Sequence, residues 1–268
     1  MQQFEKVLFL SLSIIILIAV GAYFLTFNSD KSDQQAESQE EPSNEIVIKA
    51  LTEDLYPLNY LDESTGEVTG IATELLREVL DDTGLSYSFE LLPWTEAYSR
   101  TITEPNTIIF TMARVPEREN KFIWLQKITN LQYSIFTPNK ELVDISEEEV
   151  KKSYITTTRN DLSHILLKER GFENFIFIKE NERTIDLLAK DQIDFVITSH
   201  LWAIQNKDEL PFPIYPQNNV KFSASDHPMF YGMNTSTEAE IITILRNSFA
   251  KIDFEKEYTR RLQAYLND

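Results

Sequence analysis

The chain has 268 residues, 42% of them hydrophobic, with 43 acidic against 25 basic side chains and a net charge of −18. A length of this order admits one or two domains with a sizeable core. The acidic balance argues against nucleic-acid binding, which needs a basic face, but leaves room for an anion held by a local arginine pair. No cysteine is present, which removes disulfides, thiol catalysis and zinc–thiolate sites together.

Val7 to Phe27 is an apolar run without charge, preceded by Lys6 and followed by an acidic flank. It is about the length that spans a bilayer. The charge bias puts the N-terminus in the cytoplasm and the rest of the chain outside. A cleaved signal peptide is the rival reading, because Val20, Gly21 and Ala22 place small residues where a signal peptidase cuts. The apolar run continues through Tyr23 to Phe27, which favours the uncleaved anchor. Without a lipobox cysteine a lipoprotein is excluded. Asn28 to Asn44 is rich in Ser, Gln, Glu and Asp with no apolar period, so it reads as a flexible acidic linker.

The remainder alternates strands and helices. Glu45 to Leu51 reads as a strand. Gly70 to Asp82 reads as a helix with Ile71, Leu75, Leu76, Val79 and Leu80 on one face and Gly84 as its stop. Leu85 to Leu91 alternates as a strand does, Thr95 to Thr103 is helical, and Thr107 to Met112 is a third strand. The pattern then recurs: strand at Tyr154 to Thr158, helix at Asp161 to Arg170, strand at Phe175 to Ile178, helix at Glu182 to Lys190, strand at Gln192 to Thr198, helix at His200 to Lys207. Asp161 is a candidate N-cap and Gly171 the matching stop. Two α/β units in tandem imply two lobes with a cleft between them. Glu238 to Ile252 and a shorter helix ending at Leu266 have no strands of their own, so they are expected to pack back on the first lobe.

Ligands of open α/β sheets bind beyond the carboxyl ends of the strands. Those ends carry Glu53, Asp54, Tyr56 and Tyr60, then Trp94, then Thr111, Arg114 and Arg118, then Arg159, Asn160 and Asp161, and last Thr198, Ser199 and His200. Arginine grips a carboxylate with a two-pronged fork, so Arg114 and Arg118 are candidates for a small anion. Arg159, near a helix N-terminus, is another. Trp94 and Tyr56 offer flat walls. Each has a plainer reading. The arginines can pair with Glu117 and Glu119, the aromatics can be part of the core, and Asp161 can be only a cap. His164, His200 and His227 have no second ligand at metal-site spacing, and no P-loop, G-x-S-x-G or G-x-G-x-x-G occurs. Neither a metal nor a cofactor is expected.

From about Ile46 to its end the chain resembles the bacterial extracellular solute-binding proteins of family 3, the polar amino-acid-binding type. The resemblance is carried by Thr69 to Leu76, by Leu92-Pro93-Trp94, and by Arg114 to Arg118 followed by Phe122-Ile123-Trp124. Leu188 to Asp194 and Tyr231 to Met233 extend it into the second lobe and back. It implies a two-lobed periplasmic-binding-protein clamshell of α/β class. Lobe one would be 45–131 with 223–268 and lobe two 132–222, with hinges near Leu131–Thr137 and Lys221–Phe230 and closure over a ligand. It implies that Arg118 grips an α-carboxylate, that Thr111 assists, and that Arg159 and Asp161 meet the same end of the ligand. The family's acid for the ligand's amino group falls at Ser199, which cannot pair an ammonium. A second hydroxyl position is Ala113, and Val115 replaces the usual Thr. The implied function is capture of a small carboxylate-bearing solute, amino-acid-like or an organic acid, in the periplasm for a membrane transporter or sensor. Two alternatives stay open. One is a dehydratase-like enzyme using Glu53, Asp54, Glu74 and His200. The other is an interaction module with a vestigial cleft.

Overall fold

The structure is a computed structural model that describes residues 46–178, 182–205, 207, 210–223 and 227–267. The expected anchor at 1–27 and linker at 28–44 lie outside the described residues. No helix among the described residues is long and apolar enough to cross a membrane.

Two five-stranded sheets organise the molecule. The first is built from β1 (Val47–Thr52), β4 (Ser86–Leu91), β5 (Thr107–Ala113), β6 (Phe122–Asn130) and β12 (Pro228–Asn234), in the order β4-β1-β5-β12-β6. β4, β1 and β5 run parallel, while β12 is antiparallel to both β5 and β6. The second sheet contains β7 (Tyr133–Thr137), β8 (Ile155–Thr157), β9 (Phe175–Phe177), β10 (Phe195–Ser199) and β11 (Tyr215–Pro216), in the order β11-β7-β10-β8-β9. β8, β9 and β10 are its parallel part, and β7 closes it antiparallel. A small hairpin, β2 (Tyr60–Asp62) with β3 (Glu67–Thr69), stands apart.

Parallel strands buried on both faces need apolar residues at every position, and β5 is buried throughout. Ile48, Ala50 and Ile108 face α1 (Ile71–Thr83), whereas Leu51, Ile109 and Met112 pack with Trp94 and Ala97 of α2 (Trp94–Thr103). In the second lobe Ile155 and Ile197 share a core with Leu162, Leu166 and Leu167 of α4 (Leu162–Glu169). On the other face Phe136 and Val196 meet Leu188 of α5 (Glu182–Ala189) and Ala203 of α6 (His200–Gln205). The remaining short helix, α3 (Glu147–Val150), is closed by a Ser146–Glu149 capping box.

The two closing helices pack on α1 and β6, so they complete the first lobe as expected. Their lengths are reversed: α7 is Ala239–Phe249 and α8, Phe254–Asn267, is the longer. The first helix stops early because the chain turns at Ala250 to Asp253, so the amphipathic stripe to Ile252 overstated it. The first crossing is also narrower than expected. Leu131 and Gln132 join the lobes, and Tyr133–Thr137 already pairs into the second sheet.

Tyr231, wholly buried on β12, donates its hydroxyl to the Ala72 carbonyl of α1 at 2.8 Å and stacks among Phe110, Phe249 and Phe254. Tyr231→Phe keeps the packing and removes the bond, so a loss of about 1 kcal/mol in urea unfolding is expected. A loss as large as that of a ring deletion would mean that packing had changed too.

Candidate functional site

Both lobes contribute to one cavity of about 90 Å³, well above the space a single water needs. From the first lobe come Glu53, Asp54, Trp94, Thr111, Arg118 and Met229. The second supplies Thr156, Thr157, Thr158, Asp161, Ser163, Thr184, Thr198, Ser199 and Trp202.

Arg118 closes a 3-10 turn over Pro116–Arg118 that follows β5. It is 2% exposed. Its Nη1 donates to the Ala113 carbonyl at 3.0 Å, and its Nη2 crosses to the second lobe and donates to the Asn160 carbonyl at 2.6 Å. The guanidinium lies over the Trp94 ring at 4.7 Å and near Tyr98 at 5.6 Å. Burial pushes its pKa down against the pull of Asp161, but guanidinium stays charged in proteins.

Glu53 and Asp54 follow β1 directly. The Glu53 carboxyl is held well above the usual carboxylate range, first by burial, then by Asp161, with Arg118 opposing and Asp54 adding to the rise. Asp54 is raised by burial. Behind them Thr111 adopts φ 55°, a strained conformation for a β-branched residue. Its hydroxyl is turned into a buried network. It donates to Asn59 Oδ1 at 2.7 Å and lies 3.2 Å from the Thr52 hydroxyl, while the Asn59 amide donates to the Glu53 carbonyl. Thr111 therefore reaches the cavity wall with its hydroxyl engaged from behind, and Asn59 ties that wall to the acids.

In the second lobe Asp161 is the N-cap of α4. Its Oδ2 accepts from the Ser163 backbone at 3.3 Å and from the Ser163 hydroxyl at 2.8 Å, and Ser163 meets Thr157 at 2.8 Å. Ser199 is 2% exposed and accepts the Trp202 N–H at 3.1 Å, as a cap at the start of α6 does. The second-lobe wall is thus mainly hydroxyl.

Three expected site residues are not part of that wall. Arg114 pairs with Glu119 and packs over Trp124 and Phe230, because the strand turns it outward. Arg159 is exposed and stacks on Phe177 at 4.0 Å. Tyr56 is 38% exposed and clusters with Tyr60 and Tyr265. For Arg114 the plainer reading, a surface pair with a neighbouring glutamate, is the one found. Of the acid–base set proposed for an enzyme, Glu53 and Asp54 face the cavity. Glu74 instead binds Arg261 and Tyr265, and His200 bonds Ser134.

The sequence profile of the bacterial extracellular solute-binding proteins, family 3, matches residues 47–268. Among solved structures, a mutant of the ArgBP from T. maritima superposes with a TM-score of 0.70 at 10% identity, over 83% of this chain and 96% of that one. A histidine kinase sensor domain with similarity to periplasmic binding proteins gives 0.69 at 17% identity, over 82% and 96%. An amino acid ABC transporter substrate-binding protein from Streptococcus pneumoniae, bound to L-arginine, gives 0.69 at 11% identity, over 82% and 93%. At these identities the likeness is one of fold. The search of curated proteins returned no match.

Proposed function

The chain belongs to the bacterial extracellular solute-binding proteins, family 3, and on that premise we propose that it captures a small carboxylate-bearing, amino-acid-like solute between its lobes for a membrane transporter or a sensor. One observation carries the reading: Arg118, a buried guanidinium, lies in the wall of a cavity that both lobes line. Two of its five N–H groups meet backbone carbonyls, which leaves donors for a carboxylate.

The surrounding charges favour a zwitterion over an organic acid. Asp54 and Asp161 face a single guanidinium, with Glu53 held toward its neutral form by burial, so a ligand with negative charge alone would still meet an excess of negative charge. An ammonium on the same ligand would be matched by those carboxylates. Ser199, where the family places an acid, supplies a hydroxyl; the acids of this cavity stand on the β1 loop and on the α4 cap. Capture without chemistry is the reading the site supports, since Glu74 and His200 are engaged elsewhere. An N-terminal anchor with a flexible linker would hold the binding unit near a membrane partner and raise its effective concentration there.

A thermal-shift screen of the full-length chain against amino acids, di- and tricarboxylates and aromatic acids tests this. A ligand at a hundredfold its Kd adds about 2.7 kcal/mol to stability, or about 5–10 °C in Tm for a domain of this size. Zwitterions are expected to give the shift. Hits confined to acids without an amine would remove the zwitterion reading, and silence across all classes would remove the carboxylate reading.

A further inference from the structure

A second groove also borders Arg118. Its first-lobe wall is Tyr98, Glu117, Arg118 and Lys121, and its second-lobe wall includes Asn160, His164, Lys168 and Glu169. Arg118 therefore sits between two spaces, and the group it reaches across the lobes is the Asn160 carbonyl. That carbonyl is aimed by an unusual backbone. Asn160 has φ 62°, the left-handed region that asparagine tolerates better than most residues. What holds it there is His164: the Asn160 N–H donates to His164 Nδ1 at 3.2 Å.

The direction of this bond fixes the protonation state. Nδ1 accepts, so the imidazole is neutral with its proton on Nε2. A second proton at Nδ1 would set N–H against N–H and remove the only acceptor that His164 can offer. The residue is 9% exposed, with its ring edge-on to Phe175 and Phe177 at 5.0 and 5.1 Å.

We infer that His164 is a pH-sensitive support of the lobe–lobe latch: neutral, it holds Asn160 in the conformation whose carbonyl receives Arg118, and protonated, it releases Asn160 and weakens closure.

The charges around the ring act in the same sense. Lys168 on the same helix and Arg159 before it both disfavour the imidazolium, and Asp161 alone opposes them. Across the groove Arg118 and Lys121 add positive charge and Glu117 negative, while Glu169, on the same helix as His164, adds negative charge with His227 3.6 Å from it. Burial is the first cause of a His164 pKa held below the ordinary value, followed by Lys168 and Arg159. The sign follows from linkage. The latched form binds fewer protons than a form with a solvated imidazole. Latching is therefore fully present above the ordinary histidine pKa of about 6.5 and is lost as pH falls from there through the depressed value.

The chain has no cysteine, so a pair introduced at exposed positions of the two lobes, Glu63→Cys and Lys190→Cys, can be spin-labelled cleanly. Interlobe distances in the full-length chain are then followed by electron–electron resonance from about pH 7.5 to about pH 5. The expected result is a fall of about threefold or more in the short-distance population with acid, absent in His164→Gln, whose amide can still accept the Asn160 N–H without titrating. Equal opening in both proteins, or an unchanged distribution in the parent, overturns the proposal. Should the variant fail to fold, imidazole NMR of the parent decides. With three histidines in the chain, His164 is assignable, and its titration midpoint must coincide with that of opening. A separation of about one pH unit or more between the two midpoints rejects the latch.

Discussion

Gly70→Ala is expected to destabilise the protein by about 3 kcal/mol. Gly70 precedes α1 with φ 111° and provides no side chain to cap it. The helix N-terminus is instead satisfied from the β1 loop: Ile71 N–H donates to the Pro57 carbonyl at 2.9 Å and Ala72 N–H to the Leu58 carbonyl at 2.8 Å. An added Cβ would stand 2.6 Å from the Leu58 oxygen, 2.7 Å from its carbonyl carbon and 2.8 Å from the Pro57 oxygen. All three are backbone atoms, so relief requires the loop to move away from the helix, and that same loop carries Glu53 and Asn59. Gly66→Ala is the control. Gly66 also has positive φ, 73°, yet a Cβ there meets nothing within 4 Å, so only the conformational cost of about 1 kcal/mol applies. Urea unfolding of the two variants separates the terms. If both lose the same stability, the close approach at Gly70 has been overrated.

Arg118→Lys is expected to lower affinity for whichever solute the thermal screen identifies by about 3 kcal/mol, on the order of a hundredfold. An ammonium cannot reach the Ala113 and Asn160 carbonyls and still present a fork to a carboxylate, and it is more costly to desolvate than a guanidinium stacked on Trp94. Arg114→Lys is the comparison. Arg114 is partly exposed and paired with Glu119, a setting in which such pairs contribute little. Its affinity by calorimetry should stay within about twofold of the parent. Comparable losses at both positions would mean that Arg118 holds no special place in recognition.

Much of the architecture was legible because parallel strands and amphipathic helices write themselves as apolar runs and stripes. β1, β5 and β10 are largely such runs, β4 shows as an alternation of apolar and polar residues, and the stripe from Ile71 to Leu80 with Gly84 behind it marked α1 closely. β6 was missed because it is a part-exposed antiparallel strand whose second half, with Gln126, Lys127 and Thr129, keeps no two-residue period. The three-residue strands of the hairpin are too short to carry a period. At the site, Arg118, Trp94, Thr111, Asp161 and Ser199 were legible from their place near strand ends together with the family resemblance. Arg114 stands four residues before Arg118 yet turns outward, since Glu119 and the Trp124 ring offer it a nearer partner. The hydroxyl wall of Thr156, Thr157, Thr158 and Thr184 went unread, because threonine in a strand is also what β-propensity favours. Thr184 comes from a helix far along the chain, and only the fold brings it to Thr156, at 3.2 Å.

The place of β12 bears on when each lobe can form. In the first sheet β6 is an edge strand paired, among the described residues, with β12 alone, and β12 also separates it from β5. Until residues 228–234 are available, β6 has no strand to pair with and β5 has one edge open. The second sheet, by contrast, is assembled wholly from residues 133–216. Contacts that join distant parts of a chain are slow to close. The inserted lobe can thus mature as soon as its own stretch has emerged, while the lobe that holds Arg118 stays unfinished until almost the whole polypeptide has been delivered. An early truncation product would therefore carry a folded hydroxyl wall but no assembled charge-recognising half.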